Sequence, residues 1–328
     1  KSNFSKPKLT INPYSILSRI NEDSTTVLLD DLNPIVSIKQ VEDLNSLGYG
    51  GRSKDSMNAA TRELHQSELG LVSEATKDSS AVGISAYLSA TPNLNNVLGI
   101  KSGIEENGVS GRFSTSALLS PFVEYEAPKR AGFISIQNGH VAPIINAELP
   151  YIRTLEEMTI AYRVGKEFTF MAQQDGIVTK ITDKSIEVEY KDKTKEEGIL
   201  GDWSTRPESG KAFKNTVKTD LKENDRFKRG DAIAYNTAFF QKDYLFKNKL
   251  VYKMATYANV GLTEEEATKD DSSVVSKAMY SKLVTQIYYA QGFIFKATDI
   301  LIDIPKENSK LKPDSYLYTI MNNNLSED

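Results

Sequence analysis

The chain has 328 residues, 39% hydrophobic and 26% charged, enough to bury a core in two or three domains and unlike either a disordered polymer or a membrane-embedded protein. No apolar run approaches the roughly 20 residues that span a bilayer, and the basic stretch 1–8 has no apolar region after it, so it reads as an exposed arm and not as a secretory signal. The absence of cysteine removes disulfides and thiolate zinc sites and suits an intracellular or virion protein; a net charge of −4 is unlike a free-standing nucleic-acid-binding domain, so any basic face is local and completed by partners, or the chain does not grip nucleic acid alone.

From residue 12 to 61 helical and loop signals mix. Residues 15–17 and 27–29 are short apolar segments, Asn33-Pro34 predicts a turn, and the glycines at 48, 50 and 51 predict a loop free to take positive φ. Residues 70–88 alternate small and apolar side chains; 83–88 reads as a buried strand or a packed helix, which pattern alone does not separate. The Asn- and Gly-rich stretch 91–112 predicts a loop. From Glu167 the pattern turns to β: strands are expected at 168–171, Gly176–Ile181 and Ser185–Tyr190, the last alternating Ile186, Val188 and Tyr190 against Glu187 and Glu189, with Asp183-Lys184 as the hairpin turn. Residues 191–225, charged and broken by Gly and Pro, predict a long exposed insertion. A further strand is expected at 250–257, a short amphipathic segment at 276–282, a hairpin from 284–289 and 293–304 broken at Gly292, and a charged loop at 305–313. The fold class expected is α+β and β-rich.

Three motifs invite a chemical reading, each beside a plain structural one. The run Leu44-Asn45-Ser46-Leu47-Gly48-Tyr49-Gly50-Gly51 is a surface turn, or a loop that lets backbone approach a nucleic acid; it lacks the Lys-Ser/Thr ending of a P-loop and the dinucleotide fingerprint. Arg130, in Pro121-Phe122-Val123-Glu124-Tyr125-Glu126-Ala127-Pro128-Lys129-Arg130-Ala131, reads by itself as a surface arginine paired with Glu124 or Glu126. Asp270-Asp271 invites a magnesium reading, yet adjacent strand residues face opposite sides and rarely bind one ion together, while Thr263-Glu264-Glu265-Glu266 fits a helix capping box. His65 and His140, the only histidines, make a poor metal site by themselves.

In this order the motifs resemble the β subunit of multisubunit DNA-dependent RNA polymerases. The Gly48–Gly51 loop resembles the β fork, where a Ser-Ala-Leu-Gly-Pro-Gly-Gly-like run leads into the active-centre cleft, with Asn45, Ser46 and Tyr49 departing from it. That loop also helps form the rifamycin pocket of bacterial enzymes, and Asn45 departs from it there. The similarity continues through His65, Gly70 and an eroded run at 76–83, then through the gapless segment Pro121 to Pro143, and through Asp175-Gly176-Ile177-Val178 and Arg229-Gly230-Asp231-Ala232, both read as structural. It implies a fork-like mixed domain over 1–150, a β-rich external region over 151–245, and the first half of a hybrid-binding double-psi β-barrel over 246–328.

The resemblance also implies roles. Arg130 would contact the triphosphate of the incoming nucleotide, and Gln137, Asn138 and His140 would face the RNA 3′ end, His140 replacing the usual Gln. Asn45, Gly48, Gly50 and Gly51 would lie against nucleic acid. Asp270 and Asp271 would stand where the family has an acidic pair that acts catalytically through metal-bound water. Mg2+ itself would be held mainly by the Asp triad of a β′-like partner, since this chain has no Asp-x-Asp-x-Asp set. Partners would be the remaining β piece or pieces, β′-like subunits, template DNA, nascent RNA and nucleoside triphosphates, with no membrane. The chain would be a piece of β, inactive alone, of a kind associated with giant-bacteriophage polymerases, located in the host cytoplasm or packaged in a virion. Two rivals stand beside it: a stand-alone magnesium nuclease using Asp270 and Asp271, and a non-enzymatic structural or assembly protein of a virion.

Overall fold

Asn12 and Asn33 are each followed by proline, and each opens a helix, α1 (Pro13–Glu22) and α2 (Pro34–Glu42). The computed structural model describes residues 12–23, 26–48, 50–77, 79–95, 108–204, 211–253, 256–262, 264, 266, 269, 272–289, 299–316 and 318–322. Proline suits the first helical position because its missing N–H would have no partner there. The Asn33 side-chain oxygen accepts from the N–H of Ile35 and of Val36, both at 2.9 Å. The turn expected at Asn33-Pro34 is therefore a helix cap: the same asparagine chemistry continues into a helix because a stripe of buried residues follows.

Helix α2 runs directly into β1 (Asp43–Asn45), which with β2 (Val72–Thr76) and β3 (Ser85–Leu88) forms an antiparallel sheet in the order β1-β3-β2. Of residues 83–88, expected as strand or helix, 85–88 thus resolve as strand, after a turn at Gly83 and Ile84. A short helix α3 (Ala59–Arg62) lies between β1 and β2, and α4 (Pro128–Gly139) packs on β2 and α2.

After α5 (Glu156–Thr159) the chain is β. The strands are β4 (Thr169–Met171), β5 (Gly176–Ile181), β6 (Ser185–Tyr190), β7 (Lys195–Ile199), β8 (Gly201–Ser204), β9 (Lys211–Lys218), β10 (Arg226–Phe227), β11 (Ala232–Asn236), β12 (Phe240–Lys242) and β13 (Leu250–Tyr252). One antiparallel sheet has the order β10-β5-β6-β7; β12 pairs with β13. Another runs β14-β9-β11-β4 with β8 on β9, where β14 is Ile287–Tyr289 and follows the helix α6 (Lys277–Lys282). Asp183-Lys184 turns the β5–β6 hairpin as expected, with Thr182 Oγ1 accepting from the Ser185 N–H at 2.9 Å.

Three expectations are corrected. Residues 191–225 are not an insertion loop: of those described, 191–204 and 211–225, many are exposed as expected, but β7, β8 and β9 form there and join the two larger sheets. The strand expected over 250–257 ends at Tyr252. The hairpin expected from 284–289 and 293–304 is not seen among the described residues, which leave out 290–298: β14 pairs with β9, and β15 (Asp299–Ile302) pairs with β16 (Thr319–Asn322). The loop at 305–313 is as expected. The capping box lies outside the described residues at Thr263 and Glu265.

The chain forms two compact units, Lys1–Tyr288 and Tyr289–Asp328; β15 and β16 belong to the second. In the first, β4 is a wall between two apolar clusters. Met171 joins Ile35, Ile38, Phe168, Phe239, Leu250 and Tyr252, whereas its neighbour Phe170 joins Val178, Ile186, Val188, Phe227 and Ile233. That is the two-residue period of a strand with both faces covered. Among the described residues no helix is long and apolar enough to cross a membrane.

Candidate functional site

Helix α4 has an unusual division of faces. Its buried residues are Ala131, Ser135 and Gly139, four apart and all small, so the helix lies close against α2 and β2. Lys129, Arg130, Phe133 and Gln137 are all exposed and fall within an arc of about 100°, continued by His140 at the C-cap. Arg130 and Gln137 are separated by about 10 Å along the axis at 1.5 Å per residue. The structure therefore brings the three sequence-predicted residues Arg130, Gln137 and His140 onto one solvent face. Asn138 turns away from it: its Nδ2 donates to Ser116 O at 3.0 Å.

The start of α4 is positive for reasons other than helix stability. Ala127 offers no side-chain cap and no acid stands in the first turn, yet Lys129 and Arg130 do. Cations are disfavoured beside the exposed N–H groups of a helix N-terminus, and anions are favoured. Among the described residues Arg130 makes no ion pair within 4.0 Å, with Glu124, Glu126 or any other acid, so the surface pairing considered from sequence is not formed. Glu126 instead accepts from the Ala127 N–H at 2.9 Å. Lys129 Nζ lies 5.9 Å from the Phe133 ring centre, a loose cation–π contact that extends the basic end along the same face.

The glycine loop leaves β1 at the other edge of the same sheet. Asn45 Oδ1 accepts from the Leu47 N–H at 2.9 Å, which starts the turn, and Gly51 N–H donates to Gly48 O at 3.0 Å, which closes it. Gly48 and Gly50 have φ of 105° and 76°, and a Cβ at either would meet no atom within 4 Å, so the loop stands open to solvent. At Gly51 a Cβ would lie 2.6 Å from Ser46 O, so only glycine fits that crossing. His65 caps a single 3-10 turn, its Nδ1 accepting from Ser67 N–H, a structural role.

Asp270 and Asp271 lie outside the described residues. Among the described residues no three His, Cys, Asp or Glu side chains gather as a metal site.

Beneath α4 lies a polar layer that the motifs did not reveal. Lys39 Nζ, buried, donates to Ser135 O at 2.8 Å and sits 4.8 Å from the Tyr87 ring centre. Asn33 Nδ2 donates to Gly139 O at 3.0 Å and to Val141 O at 2.8 Å. Glu74 accepts from Ser114 N–H at 2.8 Å and Ser114 Oγ at 2.9 Å, and Ser116 Oγ donates to Ser135 O at 3.0 Å. Glu42 accepts from Thr115 Oγ1 at 2.9 Å and Arg163 Nη2 at 2.6 Å. Burial pushes Lys39 down to about 8 and pushes the Glu42 and Glu74 carboxyls up, against the pull of Arg163 on Glu42 and of Ser114 on Glu74. A sequence signal existed: Lys39 and Glu42 occupy the fourth and seventh places after Ile35, so two charges stand inside the apolar stripe of α2.

No family model matches the chain. The curated β subunits of DNA-directed RNA polymerase from Leptospira biflexa, including two strains of serovar Patoc, are similar to it at 22% identity over 241 residues, covering 53% of this chain. The chain spans about 20% of the length of those relatives.

Proposed function

We propose that this chain is part of the β subunit of a DNA-dependent RNA polymerase and that the exposed face of α4 meets the incoming nucleotide and the RNA end. The observation that carries the reading is the placement of Lys129 and Arg130, unpaired by acids among the described residues, at an uncapped helix start where they do not serve the helix itself. A planar, permanently charged guanidinium makes bidentate bonds to phosphate oxygens. Gln137 and His140, further along the face, supply hydrogen-bonding groups for ribose or base. The similarity to curated β subunits over half the chain supports the same class.

In this reading residues 1–150 are the fork-like domain, 151–245 the external region and 246–328 the first half of the hybrid-binding barrel. The open loop at Asn45, Gly48, Gly50 and Gly51 approaches the nucleic acid. The ions that stabilise attacking and leaving oxygens are assigned to a β′-like partner, because this sequence has no Asp-x-Asp-x-Asp set, with Asp270 and Asp271 near them. The chemistry of this chain is then charge stabilisation of the triphosphate by Arg130 as the RNA 3′-oxygen attacks the α-phosphate. The reading extends to a split subunit of a bacteriophage enzyme, acting in the host cytoplasm or carried in the virion, because the family motifs are eroded and cysteine is absent.

The test is Arg130→Ala in the polymerase assembled with its partner subunits. Loss of a charge-assisted contact worth about 1.5–3 kcal/mol lowers kcat/KM for nucleotides about 10- to 100-fold. Unchanged incorporation by a folded variant refutes the assignment. Nuclease activity from the purified chain alone with magnesium, or self-assembly of the chain without polymerase subunits, would instead support one of the two rivals.

A further inference from the structure

We infer that Lys39 and Asn33 are positioning residues that set the rotation of α4 about its own axis and thereby aim Arg130 and Gln137 at the nucleotide. The inference rests on the reading that the exposed face of α4 meets substrate. Its geometry stands apart from that reading. A helix packed through Ala131, Ser135 and Gly139 has small side chains only at its buried contact, so side-chain bulk does little to fix its rotation, which the 114–116 segment restrains from one side through Ser114, Ser116 and Asn138. Directional bonds supply what the packing lacks. Lys39 Nζ grips Ser135 O from one side at 2.8 Å, and Asn33 Nδ2 grips Gly139 O and Val141 O at 3.0 and 2.8 Å.

Both residues belong to one rigid element. Asn33 is the cap of α2 and Lys39 is six residues on, so α2 holds the last turns of α4 at two carbonyls, of Ser135 and Gly139, and at the Val141 carbonyl just past its C-cap. Lys39 is itself seated: its ammonium lies over the Tyr87 ring of β3, and its chain packs 3.8 Å from where a Cβ on Gly139 would be. A lysine in the apolar stripe of α2 is an expensive way to fill that space, since burial alone disfavours its charge. An aliphatic side chain would fill it without that penalty. Rotation matters because the candidate residues lie about 6–10 Å from the axis, so a turn of about 20° would carry the Arg130 guanidinium by about 2–3 Å, enough to lose a phosphate bond.

Two variants test this in the assembled polymerase. Lys39→Met fills the same space without a donor, and Ser135 O keeps the Ser116 hydroxyl at 3.0 Å, so the fold has what it needs. Asn33→Ser keeps an oxygen to cap α2, while its short hydroxyl cannot reach both Gly139 O and Val141 O. Each is expected to raise the nucleotide KM about 5- to 20-fold while the melting temperature of Lys39→Met does not fall, a split that a purely structural role would not give. Combined with Arg130→Ala, Lys39→Met is expected to add less than 2-fold to the loss, because it acts through Arg130. A wild-type KM in both single variants, or losses that multiply in the double variant, overturns the inference while leaving the reading of the α4 face intact. An Arg130→Ala polymerase with unchanged kinetics overturns that reading, and this inference with it.

Discussion

The region built on β4 to β13 and the region built on α2, β1–β3 and α4 share the apolar cluster around Ile35, Ile38 and Tyr252 but differ in the balance of what else they bury. The first is dominated by apolar clusters: Phe168, Phe170, Val178, Ile186, Val188, Ile233 and Tyr252 interdigitate on both faces of β4, beside a few buried polar side chains such as Thr169, Asn236 and Asp243. The second buries Lys39, Glu42, Ser114, Thr115, Ser116 and Ser135 in a connected set of hydrogen bonds. Hydrophobic burial is non-directional and supplies stability. Polar contacts in a low-dielectric interior add little net stability but penalise any arrangement that leaves a partner unmet. The candidate residues stand on the region that is held by directional bonds. The lesson is that buried polarity is concentrated beneath α4, the helix that carries the candidate residues.

The comparison can be broken most forcefully in the first region. Phe168→Ala removes a fully buried ring that contacts Phe239 and Trp203, and should cost about 3–5 kcal/mol in denaturant unfolding of the full chain. A loss under about 1 kcal/mol would show that the two clusters do not carry the fold. The polar region is sharpened by pH. Burial lowers Lys39 from 10.5 to about 8, so between those values the unfolded chain binds more protons than the folded one, and the group makes stability rise with pH across that window. Below pH 8 the folded state carries the full cost of the buried charge. The stability of Lys39→Met relative to wild type should therefore be highest near neutral pH and fall between pH 8 and 10.5, by at most about 3 kcal/mol. A pH-independent difference would place the Lys39 ammonium in solvent.

Smaller effects separate the regions further. A Cβ on Gly198 of β7 would lie 2.4 Å from Phe170 Cδ1, so Gly198→Ala overpacks the apolar core and should cost about 1–3 kcal/mol, read as a lowered melting temperature. The smallest change belongs to Arg130→Ala, which should move the stability of the chain by less than about 0.5 kcal/mol because the side chain is exposed and unpaired among the described residues. A large stability loss there would return Arg130 to a structural role.

How far the sequence reaches follows the same division. The β5–β6 hairpin is legible because one face of β6 is buried and the other only half-buried and polar, which writes a period of two into Ile186, Val188 and Tyr190. Strands β7 to β9 are hidden by their charges. Their outward positions pair across strands, as in Lys195 with Glu189 at 3.7 Å and Lys214 with Asp202 at 2.5 Å, and such strands resemble a solvated loop in hydropathy. The helical period places Arg130 and Gln137 on one side of α4 once a helix is drawn there, but nothing local says which side is free. That depends on Ser114 to Ser116 and on Lys39, contacts distant in sequence. Asn33-Pro34 was legible as punctuation and illegible as a cap, because turn and cap use the same asparagine oxygen.

Asn33 has one more consequence, in the chemistry of ageing. Its amide uses both lone-pair directions on Ile35 and Val36 N–H and both hydrogens on Gly139 and Val141 O, so all four of its bonding positions are filled. Hydrolysis to aspartate would turn two donors into acceptors aimed at two carbonyls. The usual route to that hydrolysis is attack on the side-chain amide by the backbone nitrogen of the next residue, which must shed a proton. Here the next residue is Pro34, whose nitrogen carries none. The residue that starts α2 in the right place thereby also shields the amide of Asn33 from the commonest spontaneous damage to asparagine, and the clamp on α4 is chemically durable as well as specific.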